Sequence, residues 1–368
     1  MTRTVTVLYN HVGEDEYEQL KDFDESQLGF EPEYDVAVAT AEEEYAAIVN
    51  ALKSEGYDVR LVNIEERLDR LEAEVRAKPD VIFNLVEHFH DRAEYEPAVA
   101  ALFELHQVPF TGSGPLALSL SRRKGTAKQL LLANGVPTPN YRLLWTPKIP
   151  RSHGLSYPLI VKPAREDASA GVHQDSVVTG YRQLTDRVEQ AFRSFGPPIL
   201  VEEFIVGREF HASVLGNEPG RMLPLVEYDF SRLPSGRHPI ISYAVKWDPL
   251  QEDFHRVDSI CPPKLGKRIV QRIEKVVLAA YRILGARDYA RLDIRLDREG
   301  RPFVLELNPN PDLTEGVSFM ESAEAAGMSF SKTLAAIVEM AAARRPAPAT
   351  PEPPAEEGAA PEAPAPTS

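Results

Sequence analysis

The sequence predicts an α/β protein whose C-terminal part is of the α+β type, and three features of the chain support this prediction. Strand and helix patterns alternate through the first third, an order that is typical of a parallel, doubly wound sheet. A run of strand patterns then begins at residue 208, with only short polar connections. A hairpin pattern follows at 289–308, so we expect a mainly antiparallel sheet in the C-terminal part.

The N-terminal part alternates in the order βαβαβαβ. Short apolar runs predict its strands, and apolar positions at helical spacing predict amphipathic helices, the first of which ends near Gly56. In such sheets ligands bind at the carboxyl ends of the strands, so we expect functional residues there. The predicted strands are 4–10, 58–64, 79–87 and 109–114, and the predicted helices are 40–57, 66–77 and 96–108.

The other elements lie on either side of a proline-containing junction at residues 136–145. A helix precedes this junction, and strands dominate the part of the chain that follows Gly207. The predicted helices are 121–135, 180–195, 266–285 and 330–345. The predicted strands are 156–164, 197–205, 208–216, 221–229, 241–247, 289–297 and 301–308.

A chain of 368 residues is too long for one simple core, so we expect several domains. The expected boundaries give an N-terminal α/β domain at 1–118, a small central domain at 119–207 and a C-terminal domain at 208–345. Residues 346–368 contain only Pro, Ala, Glu, Thr, Gly and Ser. This composition cannot bury enough apolar surface to offset conformational entropy, which predicts a disordered tail.

Composition excludes several classes of function. The formal net charge of -15 argues against a nucleic-acid partner, because phosphate backbones require a basic surface. The chain starts without an apolar signal region, and no stretch approaches a membrane span. Its single cysteine, Cys261, cannot form an internal disulfide. We therefore expect a cytoplasmic protein that acts on small molecules.

Oxygen-bearing side chains are predicted to meet on one face of the hairpin. Residues two apart in a strand share a face, so Glu306 and Asn308 should point together while Leu305 and Leu307 pack into the core. Pairing with the preceding strand can add Asp293 to the same face. Two carboxylates and an amide are ligands that Mg²⁺ prefers. The alternative is a solvated polar face on an exposed hairpin, and the spacing does not separate the two.

Three lysines and one strand exit are candidates for binding an anionic nucleotide. Lys162 ends the buried run PLIV ahead of the small, polar loop 164–171, which suits a cover over phosphates. Lys124 begins a helix, and Lys246 lies in the strand-like stretch ISYAVKW. In the segment 199–210, backbone groups leaving a strand suit the edge of an adenine ring. The alternatives are ordinary surface lysines and a surface turn.

In their order along the chain, these groups resemble the ATP-grasp superfamily, and particularly the D-alanine–D-alanine ligase family. The resemblance covers roughly residues 80–345 and implies the ATP-grasp architecture. The matching stretches are PFTGSGPLALSLSRRK, YPLIVKPAREDASAG, LVEEFIVGREF, ARLDIRLDREGRPFVLELNPNP and AAGMSFSKTLAAIVEMA.

The resemblance implies a nucleotide site between two domains. Lys124 and Lys162 would contact the ATP phosphates, and Lys162 also the adenine region. Glu202 would line the adenine pocket and Glu209 would bind the ribose. The backbone of Glu203, Phe204 and Ile205 would line the adenine pocket together with Glu202.

The resemblance also implies residues that act on the reacting groups. Lys246 would lie on a loop at about 231–250 that closes on the γ-phosphate. Arg291 would stabilise the oxyanion of a tetrahedral intermediate, and Ser169 would orient the first substrate. The implied ligands of two Mg²⁺ ions, with Mn²⁺ as an alternative, are Asp293, Glu306 and Asn308.

The amino-acid ends depart from the family pattern. The family's early glycine-rich segment, with a glutamate for the first substrate's ammonium, is not visible here, although Glu14 or Glu16 are candidates for that role. The family's next glycine-rich motif is replaced by EHFHDRAEYEP at 87–97. In this stretch, His88, His90 and Asp91 are candidates for a small metal cluster. The alternative is that they are ordinary pocket or loop residues.

At the acceptor end, Asp312 stands where the family has glycine, and Val317 stands where it has serine. Those family groups hold the second substrate's carboxylate, which an aspartate would repel and a valine cannot bind. Trp247 stands where the family commonly has tyrosine. The ATP and metal residues are therefore present while both amino-acid ends are changed.

The function implied by the resemblance is ATP-dependent amide formation through an acyl phosphate, with an amino acid or small peptide acid as donor and an acceptor other than D-alanine. The alternatives are true D-alanine–D-alanine ligation, a small-molecule kinase of the same fold, and a non-catalytic nucleotide-binding module. The family's tendency also implies a homodimer.

Overall fold

The computed structural model describes residues 2–13, 16–90 and 92–345. The expected disordered tail at 346–368, the candidate Glu14 and the candidate ligand Asp91 lie outside this described part. The described residues form three β-sheets with helices packed against them, which confirms the predicted α/β class. No helix in these residues is both long and apolar enough to cross a membrane.

The first sheet is parallel, with the strand order β2-β1-β3. Its elements are β1 (Thr4–Tyr9), α1 (Ala41–Ser54), β2 (Asp58–Asn63), α2 (Leu68–Arg76), β3 (Val81–Leu85) and α3 (Glu96–Leu105). Thr40 caps α1, since its side chain accepts from the Glu43 N–H while Glu43 accepts from the Thr40 N–H. The strand predicted at 109–114 is reduced to one parallel bridge between Ile82 and Phe110.

The second sheet is antiparallel, with the order β4-β7-β5-β6. Two helices that precede it, α4 (Pro115–Ser121) and α5 (Lys124–Ala133), replace the single helix predicted at 121–135. Helix α6 packs on this sheet through Leu184, Val188 and Ala191. The elements are β4 (Tyr141–Leu144), β5 (Leu159–Pro163), β6 (Val177–Val178), α6 (Tyr181–Phe195) and β7 (Ile199–Glu203).

The third sheet is also antiparallel, with the order β11-β10-β8-β12-β13 and with β9 paired to β8. Its strands are β8 (Gly207–Leu215), β9 (Arg221–Met222), β10 (Val226–Asp229), β11 (Asp258–Ile260), β12 (Tyr289–Asp297) and β13 (Pro302–Asn308). Its helices are α7 (Tyr243–Trp247), α8 (Lys267–Ile283), α9 (Ser318–Ala325) and α10 (Phe330–Ala342). Helix α10 returns to the first sheet, where Leu334 and Ile337 share a core with Val5 and Val7.

Two strand predictions in this region are wrong. The stretch predicted as a strand at 241–247 contains the one-turn helix α7, because the Ser242 hydroxyl accepts from the Val245 N–H and caps the turn. The strand predicted at 221–229 is divided into β9 and β10. Pro224 stands in the gap, and it has no N–H to donate to a β-ladder.

The prediction for Leu305 is also wrong, because a β-bulge interrupts the hairpin. Asp293 pairs with Glu306, but the next residue, Ile294, pairs with Val304. Leu305 is therefore an extra residue that faces the cavity, while Val304 and Leu307 are buried. The extra residue reverses the alternation of side chains between the two faces of the strand. Glu306 therefore points to its predicted face, whereas Leu305 points to the cavity and not into the core.

A buried carboxylate joins the first sheet to the third. Asp288 accepts hydrogen bonds from the Gly112 N–H at 3.0 Å, from Asn217 Nδ2 at 3.0 Å and from Arg344 Nη2 at 2.7 Å. Gly112 has φ +84°, and a Cβ there would lie 2.3 Å from Oδ1 of Asn310. The Asp288 contacts hold the residue before β12 against the loop that follows Phe110, and in the same loop the Ser113 N–H donates to Asn310 Oδ1 at 3.0 Å.

Candidate functional site

The three sheets meet around a cavity of about 380 Å³. The residues that the resemblance implies for the nucleotide, the metal and the reacting groups all line it, although most of them are far apart along the chain. They are Lys124, Lys162, Ser169, Glu202, Glu203, Phe204, Ile205, Glu209, Lys246, Arg291, Asp293, Glu306 and Asn308.

The hairpin brings the predicted metal ligands together. Asp293 pairs with Glu306, and Arg291 pairs with Asn308, in neighbouring positions of the β12–β13 ladder. Arg291 Nε donates to Asp293 Oδ1 at 2.8 Å, and Lys124 Nζ lies 2.8 Å from Glu306 Oε2. Burial alone would raise the pKa of Glu306, but the ammonium of Lys124 and then that of Lys162 outweigh it and hold this pKa well below its usual range.

These residues fit a hard divalent cation. Asp293 and Glu306 supply carboxylate oxygens, and the Asn308 amide lies beside them on the same face of the sheet. In the described part of the chain, no three residues of the His, Cys, Asp and Glu types form a complete metal cage. An ion held here would therefore take further ligands from water or from a bound phosphate, as Mg²⁺ commonly does.

His211 belongs to this cluster and was missed in the sequence analysis. It pairs with Asp293 across β8 and β12, and its Nε2 lies 3.5 Å from Asp293 Oδ1. The hydroxyls of Ser318 and Tyr228 lie 2.9 and 3.0 Å from its Nδ1. Burial, then the charges of Arg291 and Lys246, lower the pKa of His211 well below its ordinary value. The alternation in REFHASVL, with Glu209 on the same face, was the available signal.

A buried charge cluster lies at the inner end of the cavity. Glu202 is 2% exposed and lies between two lysines, with Lys162 Nζ 2.7 Å from Oε1 and Lys128 Nζ 2.8 Å from Oε2. The contact with Lys128 is an ion pair without hydrogen-bond alignment, and Lys128 donates instead to Thr138 Oγ1 at 2.7 Å. Burial raises the pKa of Glu202, but the two ammonium groups outweigh it and leave a net lowering. The sequence analysis missed Lys128.

The β7–β8 connection contributes mainly backbone and apolar surface. The Glu203 side chain points away from the cavity, since its carboxylate accepts from the Ser156 N–H and from Asn140 Nδ2, each at 2.8 Å. The Phe204 ring packs under the guanidinium of Arg295 at 4.3 Å. Arg295 also lies 3.6 Å from Glu209, which is buried at the cavity wall.

Two segments cover the cavity and are hydrogen-bonded to each other. Ser169 Oγ donates to the Ile241 carbonyl at 2.9 Å, and Trp247 Nε1 donates to the Ala168 carbonyl at 2.7 Å. The Tyr243 N–H donates to the Val172 carbonyl at 2.9 Å. The loop after β5 and helix α7 therefore form one cover over the cavity.

Helix α7 brings Lys246 to the cavity wall. Burial lowers the pKa of its ammonium to about 8, and the nearby charge of Arg291 adds to this lowering. The Lys246 Nζ also lies 4.7 Å from the centre of the Trp247 ring. Lys246 is therefore a cation whose charge is lost just above neutral pH.

The N-terminal segment supports this cover from outside. The Tyr17 hydroxyl donates to the Trp247 carbonyl at 3.1 Å. His255 is fully buried, and its Nδ1 accepts from the N–H groups of Glu33 and Tyr34 at 3.2 and 3.1 Å. The segment between β1 and α1 thus packs on the segment that follows α7.

A second chamber of about 540 Å³ adjoins the first cavity and shares Glu87, Glu96, Trp247 and Asp312 with it. Burial raises the pKa of Glu96 to about 8, against the opposing charge of Arg122. The histidines considered as a metal cluster do not meet. His88 Nδ1 lies 3.1 Å from Asn10 Nδ2, whereas His90 lies beside Glu66 at the surface.

Comparison with known proteins gives consistent results. Residues 130–339 match the family model described as the D-ala D-ala ligase C-terminus. The chain is 34% identical to an uncharacterised protein, y4sG, of Sinorhizobium fredii over 263 residues, 71% of this chain and 74% of that protein. It is 32% identical to a D-alanine–D-alanine ligase of Desulforudis audaxviator over 302 residues, 81% of this chain and 92% of the relative.

A solved structure has the same fold. It is a D-alanine–D-alanine ligase from Bacillus anthracis complexed with ATP, with a TM-score of 0.69 and 20% sequence identity. The alignment covers 94% of this chain and 98% of that one. At this identity the likeness concerns the fold.

We expect Lys128→Met to lower the free energy of unfolding by about 3 kcal/mol, because it leaves Glu202 buried with one of its two counter-charges. Urea denaturation would measure this loss. In the double variant with Glu202→Gln the loss should be smaller than the sum of the single losses, because the uncompensated carboxylate is removed as well. The control is Lys275→Met at an exposed position of α8, which should change stability by less than about 0.5 kcal/mol. Equal losses at positions 128 and 275 would contradict the role of Lys128.

Proposed function

Because the chain belongs to the D-alanine–D-alanine ligase family of ATP-grasp ligases, we propose that it joins a carboxylic acid to an amine other than D-alanine, with conversion of ATP to ADP and phosphate. The observation that supports this most is the convergence of the nucleotide, metal and oxyanion candidates on one cavity. This cavity, called the cleft below, lies between the domains that we propose at 119–207 and 208–345.

The nucleotide would lie along the cationic wall of the cleft. Lys124 and Lys162 would contact its phosphates, and Glu209 would accept from the ribose. Both lysines already pair with carboxylates in this structure, so their ammonium groups are held at the wall. The backbone of Glu203, Phe204 and Ile205 and the side chain of Glu202 would border the adenine ring.

A divalent cation, Mg²⁺ by the chemistry of its donors, would be held by Asp293, Glu306 and Asn308. When bound, it would neutralise charge on the phosphates. The chain's own contribution is to hold both carboxylates in place. Lys124 and Arg291 contact them directly, and neutral His211 lies beside Asp293.

The reaction would proceed in two steps. A carboxylate oxygen of the donor attacks the γ-phosphorus, the bond to the bridging oxygen of ADP breaks, and an acyl phosphate forms. The neutral amine of the acceptor then attacks the acyl carbon, the carbon–oxygen bond to phosphate breaks, and the amine gives up a proton. Arg291 would stabilise the oxyanion that develops on the acyl oxygen, and Ser169 would orient the donor.

The proposed change of acceptor rests on the residues that stand at the acceptor end of the family pattern. The residue after the β13 turn is Asp312, and it lines both chambers. A carboxylate there repels the carboxylate of an amino-acid acceptor. Val317 precedes helix α9 and has no side-chain donor, while the hydroxyl of the adjacent Ser318 contacts His211. Ligation of two D-alanines, the activity in the names of several relatives, is the alternative.

The ligase function is tested by trapping the acyl phosphate. With ATP, Mg²⁺ and a panel of D- and L-amino acids or small peptide acids, we expect hydroxylamine to yield the hydroxamate of the preferred donor together with ADP. A small-molecule kinase would instead accumulate a phosphorylated product that is stable to hydroxylamine. Turnover with D-alanine as the only donor and acceptor would contradict the changed acceptor.

Removing a metal ligand should abolish most activity. We expect Asp293→Asn and Glu306→Gln to lower kcat by roughly 100-fold or more, because the cation contributes several kcal/mol to stabilisation of the transition state. Both variants should also raise the Mg²⁺ concentration needed for half-maximal ADP release. Glu299→Gln is the matched control, since it removes an exposed carboxylate from the turn of the same hairpin. Unchanged activity in either ligand variant would remove our metal assignment.

Activity should fall at alkaline pH when Lys246 loses its charge. Its ammonium is charged below about pH 8 and neutral above it, so kcat/KM for ATP, which reports the free enzyme, should decline with a midpoint near about 8. In Lys246→Arg the cation persists and this decline should disappear. A pH profile of ADP release measures both, and an identical alkaline limb in the variant would exclude Lys246 as its source.

A further inference from the structure

The second chamber is bordered by carboxylates from separate parts of the fold. Glu44 belongs to α1, Glu87 follows β3, Glu96 begins α3 and Asp312 follows β13. None of the described residues that line this chamber is a lysine or arginine. The first cavity, by contrast, is lined by Lys124, Lys162, Lys246, Arg122, Arg291 and Arg295. The carboxylates of the first cavity are therefore accompanied by cations, whereas the described lining of the second chamber has carboxylates without them.

Two of these carboxylates have no counter-charge within ion-pair distance. Glu87 makes no hydrogen bond or ion pair with any residue of the described ranges, and Asp312 only accepts, through Oδ1, from the Thr314 N–H at 2.8 Å. Glu96 differs, because it accepts from Asn310 Nδ2 and lies 3.8 Å from Arg122. Both side chains are exposed to solvent in the chamber. A cation beside Glu87 and Asp312 would supply the counter-charge that both lack.

A tyrosine hydroxyl at the wall of the same chamber also has no protein partner. The Tyr289 side chain is 1% exposed and lines the chamber, and its hydroxyl donates to and accepts from no residue in the part of the chain that the structure describes. Burial, and then the charges of Asp288, Glu96 and Glu87, raise the pKa of this hydroxyl. Because the hydroxyl is unpaired at the chamber wall, it can donate to or accept from a ligand in the chamber.

Aromatic rings border the same acidic space. Tyr45 packs against Tyr9 with ring centres 4.5 Å apart, and the charges of Glu87, Glu44 and Asp312 act on its hydroxyl. Tyr17, Tyr243 and Trp247 also line the chamber. Aromatic faces next to carboxylates attract organic cations. A volume of about 540 Å³ is also more than an alanine needs.

We propose that the acceptor is an amine that carries a second ammonium group and no carboxylate, with a linear diamine as the simplest member of the class. This proposal rests on the ligase function proposed above. Glu87 and Asp312 hold the distal ammonium, and the Tyr289 hydroxyl oxygen accepts a hydrogen bond from one of its N–H groups. The other amine, in its neutral form, attacks the acyl phosphate, forms the carbon–nitrogen bond and releases phosphate and a proton. The amide product keeps the distal charge.

The test compares acceptors that differ in charge. With the donor identified by hydroxamate formation, kcat/KM is measured for 1,4-diaminobutane, 1-aminobutane, D-alaninamide and D-alanine. We expect 1,4-diaminobutane to exceed each of the others by about 10- to 100-fold, the range that one charged contact provides. Asp312→Asn and Glu87→Gln should each remove most of this preference, mainly through a higher KM for the diamine, while KM for the donor stays unchanged.

Glu315→Gln is the matched control, because it removes an exposed carboxylate from the same segment without lining the chamber. It should keep the wild-type preference. Two results would overturn the proposed acceptor class: D-alanine is the best acceptor, or both chamber variants keep the wild-type preference. If hydroxamate still forms in these cases, the ligase function stands. A chamber variant that raises KM for the donor instead would assign these carboxylates to the donor's ammonium and would also overturn the proposed acceptor class. Absence of hydroxamate with every acid would overturn the ligase function itself.

Discussion

The register of strand β12 is the constraint on which the rest of the site depends. This strand pairs with β8 on one side and β13 on the other, so one ladder position places Asp293 between His211 and Glu306. A shift by one residue would turn these side chains to the opposite face, where Leu292, Ile294 and Val304 form the core. Packing of the apolar face therefore fixes the positions of the polar side chains on the opposite face. The bulge at Leu305 leaves Asp293 paired with Glu306.

Charge matching explains why so many ionised groups can be buried together. Each buried carboxylate on the nucleotide side has a cation against it, with Lys124 at Glu306, Arg291 at Asp293, and two lysines at Glu202. An isolated charge in such a place would be costly. In the second chamber, Glu87 and Asp312 are exposed and have no cation against them. We propose that a substrate supplies a positive charge at that place.

The cover of the cleft is built from parts of the chain that are distant in sequence. The loop after β5 is hydrogen-bonded to the segment around α7, and the segment after β1 supports α7 from outside. Arg232 and Arg256, which lie before and after α7 in the chain, form ion pairs with Glu33 of that supporting segment. Since these contacts run through side chains and loop backbone rather than a sheet ladder, the cover can separate from the cleft while the sheets stay intact.

The sequence alone determined the element types in most of the chain and the chemistry of the nucleotide and metal candidates. Helical and strand periodicity is a local property, and the spacing of Glu306 and Asn308 decides that they share a face wherever the strand lies. Tertiary structure alone decided the rest. Lys128 and His211 acquire their roles only through Glu202 and Asp293, which lie far away in the chain. The cap at Ser242, the bulge at Leu305 and the acidic chamber likewise arise from hydrogen bonds and contacts between segments that no local pattern encodes.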